Sequence, residues 1–327
     1  MSTTYRGKQS VVRDSDQFDI GGEKNHGPQR ARRITKGIDL WGLPSCDFVS
    51  FVVAVVVKFS NYRESGEFEL PPPPLVYLHP AMKVIVIIPA AGLGTRMAPM
   101  PSALDAKTRK PHPSKQFTDL AGTPILIHTL RRFADVDAVS EIWIALRENE
   151  IEGFRERLPK EAGDVLKKKK IELVSGGEHR QQSVAQALNA ISAAPDDVVL
   201  VHDAVRPLVT TEIIHDVIEA AKKYGAAIAG LPAVDTIKQV ERTAEGAIIK
   251  STLPRAGVVL AQTPQGFQYS VIKKIFDEAA ADGFMGTDEA SLAERSGHEV
   301  AVVMGSPRNI KITTPADLEL AEFYLRK

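Results

Sequence analysis

The sequence predicts an α/β fold, in which helices cover both faces of a doubly wound, mostly parallel, twisted sheet with a protruding β-hairpin arm. Runs such as residues 84–88 (VIVII) and 198–201 (VVLV) are strand-length, largely β-branched and free of polar alternation. Such runs are typical of strands that are buried on both faces. From residue 83 to the end, strand-like runs alternate with segments whose apolar residues recur at helical spacing, as parallel sheets require.

The first predicted strand stops at Pro89 and runs into a turn of small residues, AAGLGT at 90–95. Glycines just past a buried strand let backbone N–H groups approach and hold an anion. Arg96 and Lys115 follow and carry charge that does not depend on pH near neutrality. The stretch therefore indicates a phosphate site. Neither the dinucleotide fingerprint nor the P-loop is satisfied, so an ordinary strand-to-helix turn is the alternative.

The next elements are predicted from periodicity and from start signals. Residues 124–133 form a helix with proline at its first position, and 141–146 form a strand. A helix at 151–158 and a strand at 171–174 follow. The lysines at 167–170 are interpreted as a solvated helix end without a role in function.

Two further turns have features of ligand sites. Gly176 and Gly177 open a helix, where N–H groups and the helix dipole can receive an anion, although glycine pairs also mark ordinary turns. The strand at 198–201 ends in HDAVRP, which places Asp203 beyond its carboxyl end, where doubly wound sheets bind ligands. Asp203 could hold a metal or a ligand group, or it could pair with Arg206 in a structural turn. Both interpretations stay open.

The last part of the chain begins with a strand at 228–232. Two β-like segments, 235–240 and 247–252, surround a Glu245-Gly246 turn and predict a hairpin that leaves the main sheet. Further elements are a strand closed by residues 262–267, a helix after Tyr269, a helix start at 286–291, a strand at 300–303 and a terminal helix after Thr314-Pro315.

Composition excludes several classes of function. Lysine plus arginine and aspartate plus glutamate are equal at 41 each, so the excess positive charge of a general nucleic-acid binder is absent. The single cysteine, Cys46, excludes an intramolecular disulfide framework and a cysteine metal cluster. It suits a reducing compartment, and we expect a cytoplasmic protein.

Residues 1–81 do not fit the α/β pattern. They are polar at first, contain an apolar run at 48–57 and end in the prolines 71–74. The apolar run is about half the roughly 20 residues that a spanning helix needs, and it lacks the context of a signal peptide. We expect a disordered extension outside the fold, with Met82 as the candidate true start and 82–327 as the folded domain. A membrane-associated or regulatory arm is the alternative.

Eight short segments, taken together and in order, point to one protein family far more specifically than any one of them does alone. In order they are AAGLGTRM (90–97), SKQF (114–117), GGEHRQQS (176–183), HDAVRP (202–207), DTIK (235–238), QTPQGF (262–267), TDEAS (287–291) and NIKIT (309–313). The set resembles the 2-C-methyl-D-erythritol 4-phosphate cytidylyltransferase family of the non-mevalonate isoprenoid pathway, from about Met82 to the C-terminus. The resemblance implies a Rossmann-like fold of the nucleotide-diphospho-sugar transferase type. It also implies transfer of CMP from CTP to methylerythritol phosphate with release of pyrophosphate, a divalent cation such as Mg²⁺, and a homodimer.

The resemblance also implies roles for particular residues. The triphosphate and the ribose would be held by the turn of Ala90, Ala91, Gly92 and Gly94, and the cytosine would be surrounded by Gly177, Glu178 and Ser183. Arg180 would also bind the nucleotide. Asp203 and Ala204 would flank the ribose and the metal, with Asp203 as the metal ligand. The catalytic set comprises Arg96 and Lys115 at the α-phosphate, and Arg255 and Lys311 at the methylerythritol phosphate. Arg206, Thr236, Thr263 and Thr287 are further substrate contacts. Arg255 would act from a partner subunit, through an arm at about 234–256.

One departure from the family concerns the loop before Lys115. The loop is often shorter in the family, whereas residues 99–113 here are extended and basic. Lys107, Arg109 and Lys110 therefore compete with Lys115, which the SKQF context favours. The implied chemistry needs no general base, because a phosphate monoester is already ionised near neutral pH. It needs alignment and cations.

Two other functions remain open on the sequence alone. A sister enzyme that transfers CMP to ribitol 5-phosphate would share most of the nucleotide half, although Lys238 and the TDEAS segment favour methylerythritol phosphate. A catalytically silent nucleotide-binding protein is the second alternative. The joint presence of Arg96, Lys115, Asp203, Arg255 and Lys311 weighs against it.

Overall fold

The computed structural model describes residues 82–92, 114–244 and 246–326. In chain order the strands are β1 (Val84–Pro89), β2 (Asp119–Leu120), β3 (Thr123–Pro124), β4 (Val139–Leu146), β5 (Lys170–Ser175), β6 (Val198–Val201), β7 (Ala226–Pro232), β8 (Ile237–Thr243), β9 (Gly246–Leu253), β10 (Val259–Gln268) and β11 (Ala301–Met304). The helices are α1 (Ile125–Ala134), α2 (Glu148–Glu161), α3 (Gly163–Leu166), α4 (Arg180–Ala190), α5 (Thr211–Tyr224), α6 (Tyr269–Ala281), α7 (Glu289–Arg295) and α8 (Pro315–Leu325). The predictions for residues 1–81 fall outside the described residues.

Seven of these strands form one sheet, in the order β11-β7-β10-β6-β1-β4-β5. Of the seven, only β10 runs antiparallel to its neighbours, β6 and β7, so the predicted mostly parallel sheet is confirmed. The chain adds β4 and β5 on one side of β1 and then returns to place β6 on the other side. This change of direction makes the carboxyl ends of β1 and β6 the place where such sheets bind ligands.

The side chains of β1 explain why its sequence is apolar without alternation. Val84, Val86 and Ile88 belong to a core with helices α1, α2 and α5, whereas Ile85 and Ile87 belong to a second core with α4, α6 and α7. All five side chains are buried. Since both faces of the strand are covered, each position has to be apolar.

Several element ends differ from the predictions. The helix predicted at 151–158 runs over Glu148–Glu161, and the strand predicted at 228–232 begins at Ala226. The lysine run is only partly a solvated helix end. Lys169 Nζ donates to the carbonyls of Val136 (2.9 Å) and Val139 (2.7 Å) and so closes the loop before β4.

The predicted hairpin is confirmed as β8 and β9, which pair antiparallel from Ile237↔Leu253 to Thr243↔Gly246 as a separate two-stranded sheet. Every residue described in β9 is exposed. Several exposed residues are large and apolar, including Val240, Ile248 and Ile249. None of the helices described here has the length and apolar character needed to cross a bilayer.

Candidate active site

A cleft of about 270 Å³ opens at the carboxyl ends of the central strands. It brings together most of the predicted nucleotide and catalytic residues that the structure describes, namely Ala90, Ala91, Gly92, Lys115, Gly177, Glu178, Arg180, Ser183, Asp203, Ala204 and Lys311. Pro89, Gln116, His179 and Val205 line it as well. The cleft thus joins segments from five places in the sequence at the change of strand order.

One wall of the cleft is the turn after β1. Ala90 and Ala91 are buried, whereas Gly92 is exposed. The chain re-enters the described structure at Ser114 and forms a short 3₁₀ turn, Lys115–Phe117, beside the β1 turn. Gly94 and Arg96 lie outside the described residues, as do the competing cations Lys107, Arg109 and Lys110. Their predicted roles stay predictions.

The opposite wall is the loop before α4. The N–H of Gly176 donates to the Leu146 carbonyl (2.6 Å), and the N–H of Gly177 donates to Ser183 Oγ (3.1 Å). A Cβ atom on Gly176 would lie 2.6 Å from the Cβ of Ala91, closer than real Cβ contacts allow. Glycine is therefore required here because the two loops of the cleft pack directly against each other.

Asp203 lies at the floor of the cleft and is surrounded by cations. Arg180 Nε is 3.2 Å from Oδ1, while Arg206 Nε (3.1 Å) and Lys311 Nζ (3.0 Å) approach Oδ2. Burial would raise the pKa of Asp203, but the three cations outweigh it and hold that pKa well below its usual range. Asp203 thus makes the predicted pair with Arg206 and also lines the cleft, whereas its role as a metal or ligand site stays a prediction.

Glu289 is a buried carboxylate that the sequence reasoning did not single out. Arg180 Nη1 lies 2.6 Å from its Oε1, and the side chain is 1% exposed. Burial alone would lower the pKa of Arg180, but Glu289 and Asp203 together raise it above its usual range. The available signal was the TDEAS segment at a helix start. Asp288 caps α7 there, and Glu289 occupies its first turn.

A chain of hydrogen bonds beneath the cleft fixes the backbone of Asp203. Its N–H donates to Thr263 Oγ1 (3.1 Å), and Thr263 Oγ1 lies 3.1 Å from His202 Nδ1. His202 Nε2 lies 3.1 Å from the Arg206 carbonyl, which can only accept, so Nε2 donates and Nδ1 accepts. Burial lowers the pKa of His202 to about 4, which keeps the ring neutral.

The remaining predicted substrate contacts lie outside this cleft. Thr263 is buried below it, and Arg206 donates through Nη1 to the Asn309 carbonyl (2.8 Å). Thr287 lines an adjoining pocket together with Arg180 and Glu289. Thr236 and Arg255 are exposed at the base of the arm, where Arg255 Nη1 donates to the Val234 carbonyl (2.6 Å). Their contacts with substrate stay predictions.

The donor set near Asp203 suits only certain metals. Among residues 82–92, 114–244 and 246–326, no cluster of three or more His, Cys, Asp or Glu side chains could hold an ion by itself. Mg²⁺ is commonly held by one or two carboxylates together with substrate phosphates. A single carboxylate such as Asp203, which already faces three cations, could hold Mg²⁺ only together with phosphate oxygens of a substrate, and it could not form a structural zinc site.

Comparisons with known proteins agree with this geometry. The family model described as 2-C-methyl-D-erythritol 4-phosphate cytidylyltransferase matches residues 84–327. Relatives of that name include proteins of Acidobacterium capsulatum, 57% identical over 246 residues (75% of this chain and 98% of the relative), and Solibacter usitatus, 48% identical over 247 residues (75% and 97%).

Solved structures show the same likeness. The 2-C-methyl-D-erythritol 4-phosphate cytidylyltransferase of Thermus thermophilus has a TM-score of 0.58 at 33% identity, covering 75% of this chain and 100% of that one. The enzyme of the same name from Francisella tularensis has a TM-score of 0.59 at 36% identity, covering 74% and 99%. The resemblance seen in the eight sequence segments is confirmed, and the chain belongs to the 2-C-methyl-D-erythritol 4-phosphate cytidylyltransferase family.

Proposed function

We propose that the protein transfers CMP from CTP to 2-C-methyl-D-erythritol 4-phosphate, giving 4-CDP-2-C-methyl-D-erythritol and pyrophosphate. The observation that carries this proposal is the cleft itself. It lies at the change of strand order and joins a small-residue turn, a diglycine loop and the cations Lys115 and Lys311. The names of the relatives supply the substrate pair. Cytidylyl transfer is the chemistry that such a cleft can support.

Nucleotide binding is assigned to the two walls of the cleft. The turn at Ala90, Ala91 and Gly92, continued by Gly94, receives the triphosphate through backbone N–H groups, which is how glycine-containing turns bind anions. Gly177, Glu178 and Ser183 surround the cytosine, with Arg180 beside them. Asp203 and Ala204 lie at the ribose.

Catalysis then depends on alignment and positive charge. An oxygen of the methylerythritol phosphate attacks the α-phosphorus of CTP in line, a new P–O bond forms, and the bond to the β-phosphate oxygen breaks. Pyrophosphate leaves with that electron pair, and no proton has to be removed from the nucleophile. Lys115 and Arg96 offset the charge that accumulates at the α-phosphate.

Asp203, together with the triphosphate oxygens, would hold Mg²⁺, which supplies further electrostatic stabilisation of the phosphates when bound. Asp203 would share its carboxylate between this ion and the neighbouring cations. Lys311, whose Nζ lies 3.0 Å from Asp203 Oδ2, borders the same space and is assigned to the incoming phosphate.

The second group assigned to the incoming phosphate is Arg255, which we place in the site of a second copy. The arm at about 234–256 exposes apolar side chains on both strands, with Val240 44%, Ile248 57% and Ile249 61% exposed. Such a surface on a projecting hairpin is suited to burial against another copy of the chain. A homodimer formed through the arm would carry Thr236 and Arg255 toward the partner's cleft.

We assign the catalytic domain to residues 82–327 and the protein to the cytoplasm, as its single cysteine suggests. A truncated chain that begins at Met82 should then be soluble and as active as the full chain. Loss of activity in this truncated chain would show that residues 1–81 take part in function.

A pyrophosphate-release assay tests the reaction directly. With CTP and Mg²⁺, release should require methylerythritol phosphate and should be at background with ribitol 5-phosphate. Preference for ribitol 5-phosphate would identify the sister activity. Binding of CTP in calorimetry without pyrophosphate release on either acceptor would identify a silent nucleotide-binding protein.

A further inference from the structure

Two side chains that were not among the predicted site residues bind consecutive carbonyl groups of the turn after β1. Gln116 Nε2 lies 2.5 Å from the Ala90 carbonyl oxygen, and Arg147 Nε lies 3.0 Å from the Ala91 carbonyl oxygen. Gln116 belongs to the 3₁₀ turn and is 3% exposed, whereas Arg147 directly precedes α2. The two carbonyls are thus drawn toward β4 and the 3₁₀ turn.

This arrangement determines where the N–H groups of the turn point. In a planar trans peptide the C=O and N–H bonds are directed oppositely. Holding the carbonyls of Ala90 and Ala91 therefore directs the N–H groups of Ala91 and Gly92 the other way. The N–H of Ala90 itself is bound to the Ala145 carbonyl at 2.8 Å.

Gly92 lines the cleft, and a Cβ atom built on it would meet no atom of residues 82–92, 114–244 or 246–326 within 4 Å. Successive N–H groups that point into one concavity make an anion-binding nest. Holding the two carbonyls back would keep the N–H groups of Ala91 and Gly92 in such an arrangement.

Gln116 also connects this nest to the predicted catalytic lysine. Lys115 and Gln116 are neighbours in one tight turn, closed by the bond from Phe117 N–H to the Ser114 carbonyl (2.8 Å). On the other side of Lys115, the hydroxyl of Ser114 donates to Glu150. The hydrogen bond from Gln116 to Ala90 therefore sets the position of Lys115 relative to the nest.

We propose that Gln116 and Arg147 are positioning residues that orient the Ala91 and Gly92 N–H groups toward the CTP triphosphate, and that Gln116 also holds Lys115 in register with them. The inference rests on the proposed function, since it assigns the triphosphate to this turn. A different view of the same contacts is that both side chains merely satisfy buried carbonyls. That view predicts a change in stability and none in triphosphate binding.

The test uses the full chain with Gln116→Met, Arg147→Met and, as a matched control, Gln268→Met. Gln268 Nε2 donates to the Lys222 carbonyl (3.1 Å), so its replacement removes the same kind of bond far from the cleft. Each variant is assayed for kcat and for KM of both substrates. Inhibition by inorganic pyrophosphate and thermal stability are measured alongside.

The expected loss in kcat/KM for CTP is about tenfold for Gln116→Met and for Arg147→Met, as for one hydrogen bond lost from a preorganised site. Inhibition by pyrophosphate should weaken in parallel, while KM for methylerythritol phosphate stays the same. Arg147→Lys, which keeps a donor, should recover part of the loss. Gln268→Met should stay within about twofold of the unaltered chain in every kinetic constant.

Other outcomes distinguish a failure of the positioning role from a failure of the proposed function. If Gln116→Met and Gln268→Met lower thermal stability alike while both leave the CTP constants unchanged, the positioning role is overturned. The half-buried Arg147 provides an independent variant if Gln116→Met fails to fold, and an unchanged kcat/KM for CTP in Arg147→Met would also contradict the role. Failure of the unaltered chain to bind CTP would instead refute the proposed function.

Discussion

Arg180 Nη1 lies 2.6 Å from Oε1 of Glu289, a carboxylate on α7 that is 1% exposed. The two residues are 109 positions apart in the sequence. Burial raises the pKa of Glu289 and the guanidinium opposes that rise, so the carboxylate depends on Arg180 for its charge compensation. The pair ties α7 to the first residue of α4, beside the predicted cytosine site.

Removal of Arg180 should therefore cost far more stability than removal of a surface arginine. Arg180→Met leaves a buried carboxylate without its cation and should lower the unfolding free energy by about 3–5 kcal/mol, measured by urea denaturation. Adding Glu289→Gln to that variant should restore more than half of the loss. As a control, Arg131→Met breaks the exposed pair with Asp164 and should cost less than about 1 kcal/mol.

The predicted cost of Arg180→Met and the predicted rescue by Glu289→Gln can each be contradicted separately. If Arg180→Met and Arg131→Met cost the same, Glu289 does not need a cation in the folded state. If Glu289→Gln in the Arg180→Met background adds to the loss, the carboxylate stabilises α7 through other contacts.

His202 should make the protein less stable in mild acid. Its folded pKa is lowered by burial from 6.5 to about 4, so the unfolded chain binds more protons between these two values. Stability rises with pH wherever the unfolded state binds more protons. From pH 7 to pH 5 the unfolding free energy should therefore fall by about 2 kcal/mol through this group.

Urea denaturation at a series of pH values measures this slope, and His202→Gln is the variant to compare. The variant should be less stable at pH 7, yet its stability should change less between pH 7 and pH 5. Asp203, whose folded pKa is depressed, adds a separate loss that begins only as the pH falls toward the unfolded aspartate pKa of about 4. An unchanged slope above pH 5 in His202→Gln would contradict the role of the histidine.

The sheet and the cleft were predictable from the sequence because their signals are local. β1 has an apolar side chain on each face, and the small residues that follow it mark the turn. The contacts of Glu289 and Thr263 were not predictable in this way. Thr263 meets His202 across 61 positions, and which hydroxyl faces which ring depends on how β10 packs against β6.

The two arginine partners of Asp203 illustrate the same limit. Arg206 lies three residues away, so a pair within the turn could be anticipated from spacing alone. Arg180 comes from a different loop, and its pairing required the fold. Gln116 and Arg147 were missed because they bind backbone carbonyls. Every residue has such a carbonyl, so the sequence does not show which one a side chain will bind.

Lys115 should be more important for turnover than any other cation of the loop before it. Lys115→Ala should lower kcat by about a hundredfold or more, the size expected for loss of a preorganised electrostatic group. Lys107→Ala, Arg109→Ala and Lys110→Ala are matched controls from the same basic loop and should have much smaller effects. Near-normal kcat in Lys115→Ala with a large loss in one control would transfer the role to that residue.

The arm provides a test of whether Arg255 acts in the cleft of a second copy. Arg255→Ala and Lys115→Ala should each be nearly inactive when assayed alone. In a hybrid dimer, one cleft combines the intact Lys115 of one copy with the intact Arg255 of the other, and the second cleft lacks both. Mixing the two inactive variants in equal amounts and allowing subunits to exchange should restore about a quarter of full activity, since half of the dimers are hybrids with one competent cleft.

This complementation should depend on the apolar surface of the arm. Ile248→Glu, introduced into both variants, places a charge in the proposed interface and should abolish both the rescue and the dimer in sedimentation. Lys222→Glu, on the helix α5 away from the arm, is a control of altered charge that should leave both intact. If the mixture of inactive variants remains inactive although the chains are dimeric and exchange, Arg255 serves the cleft of its own chain.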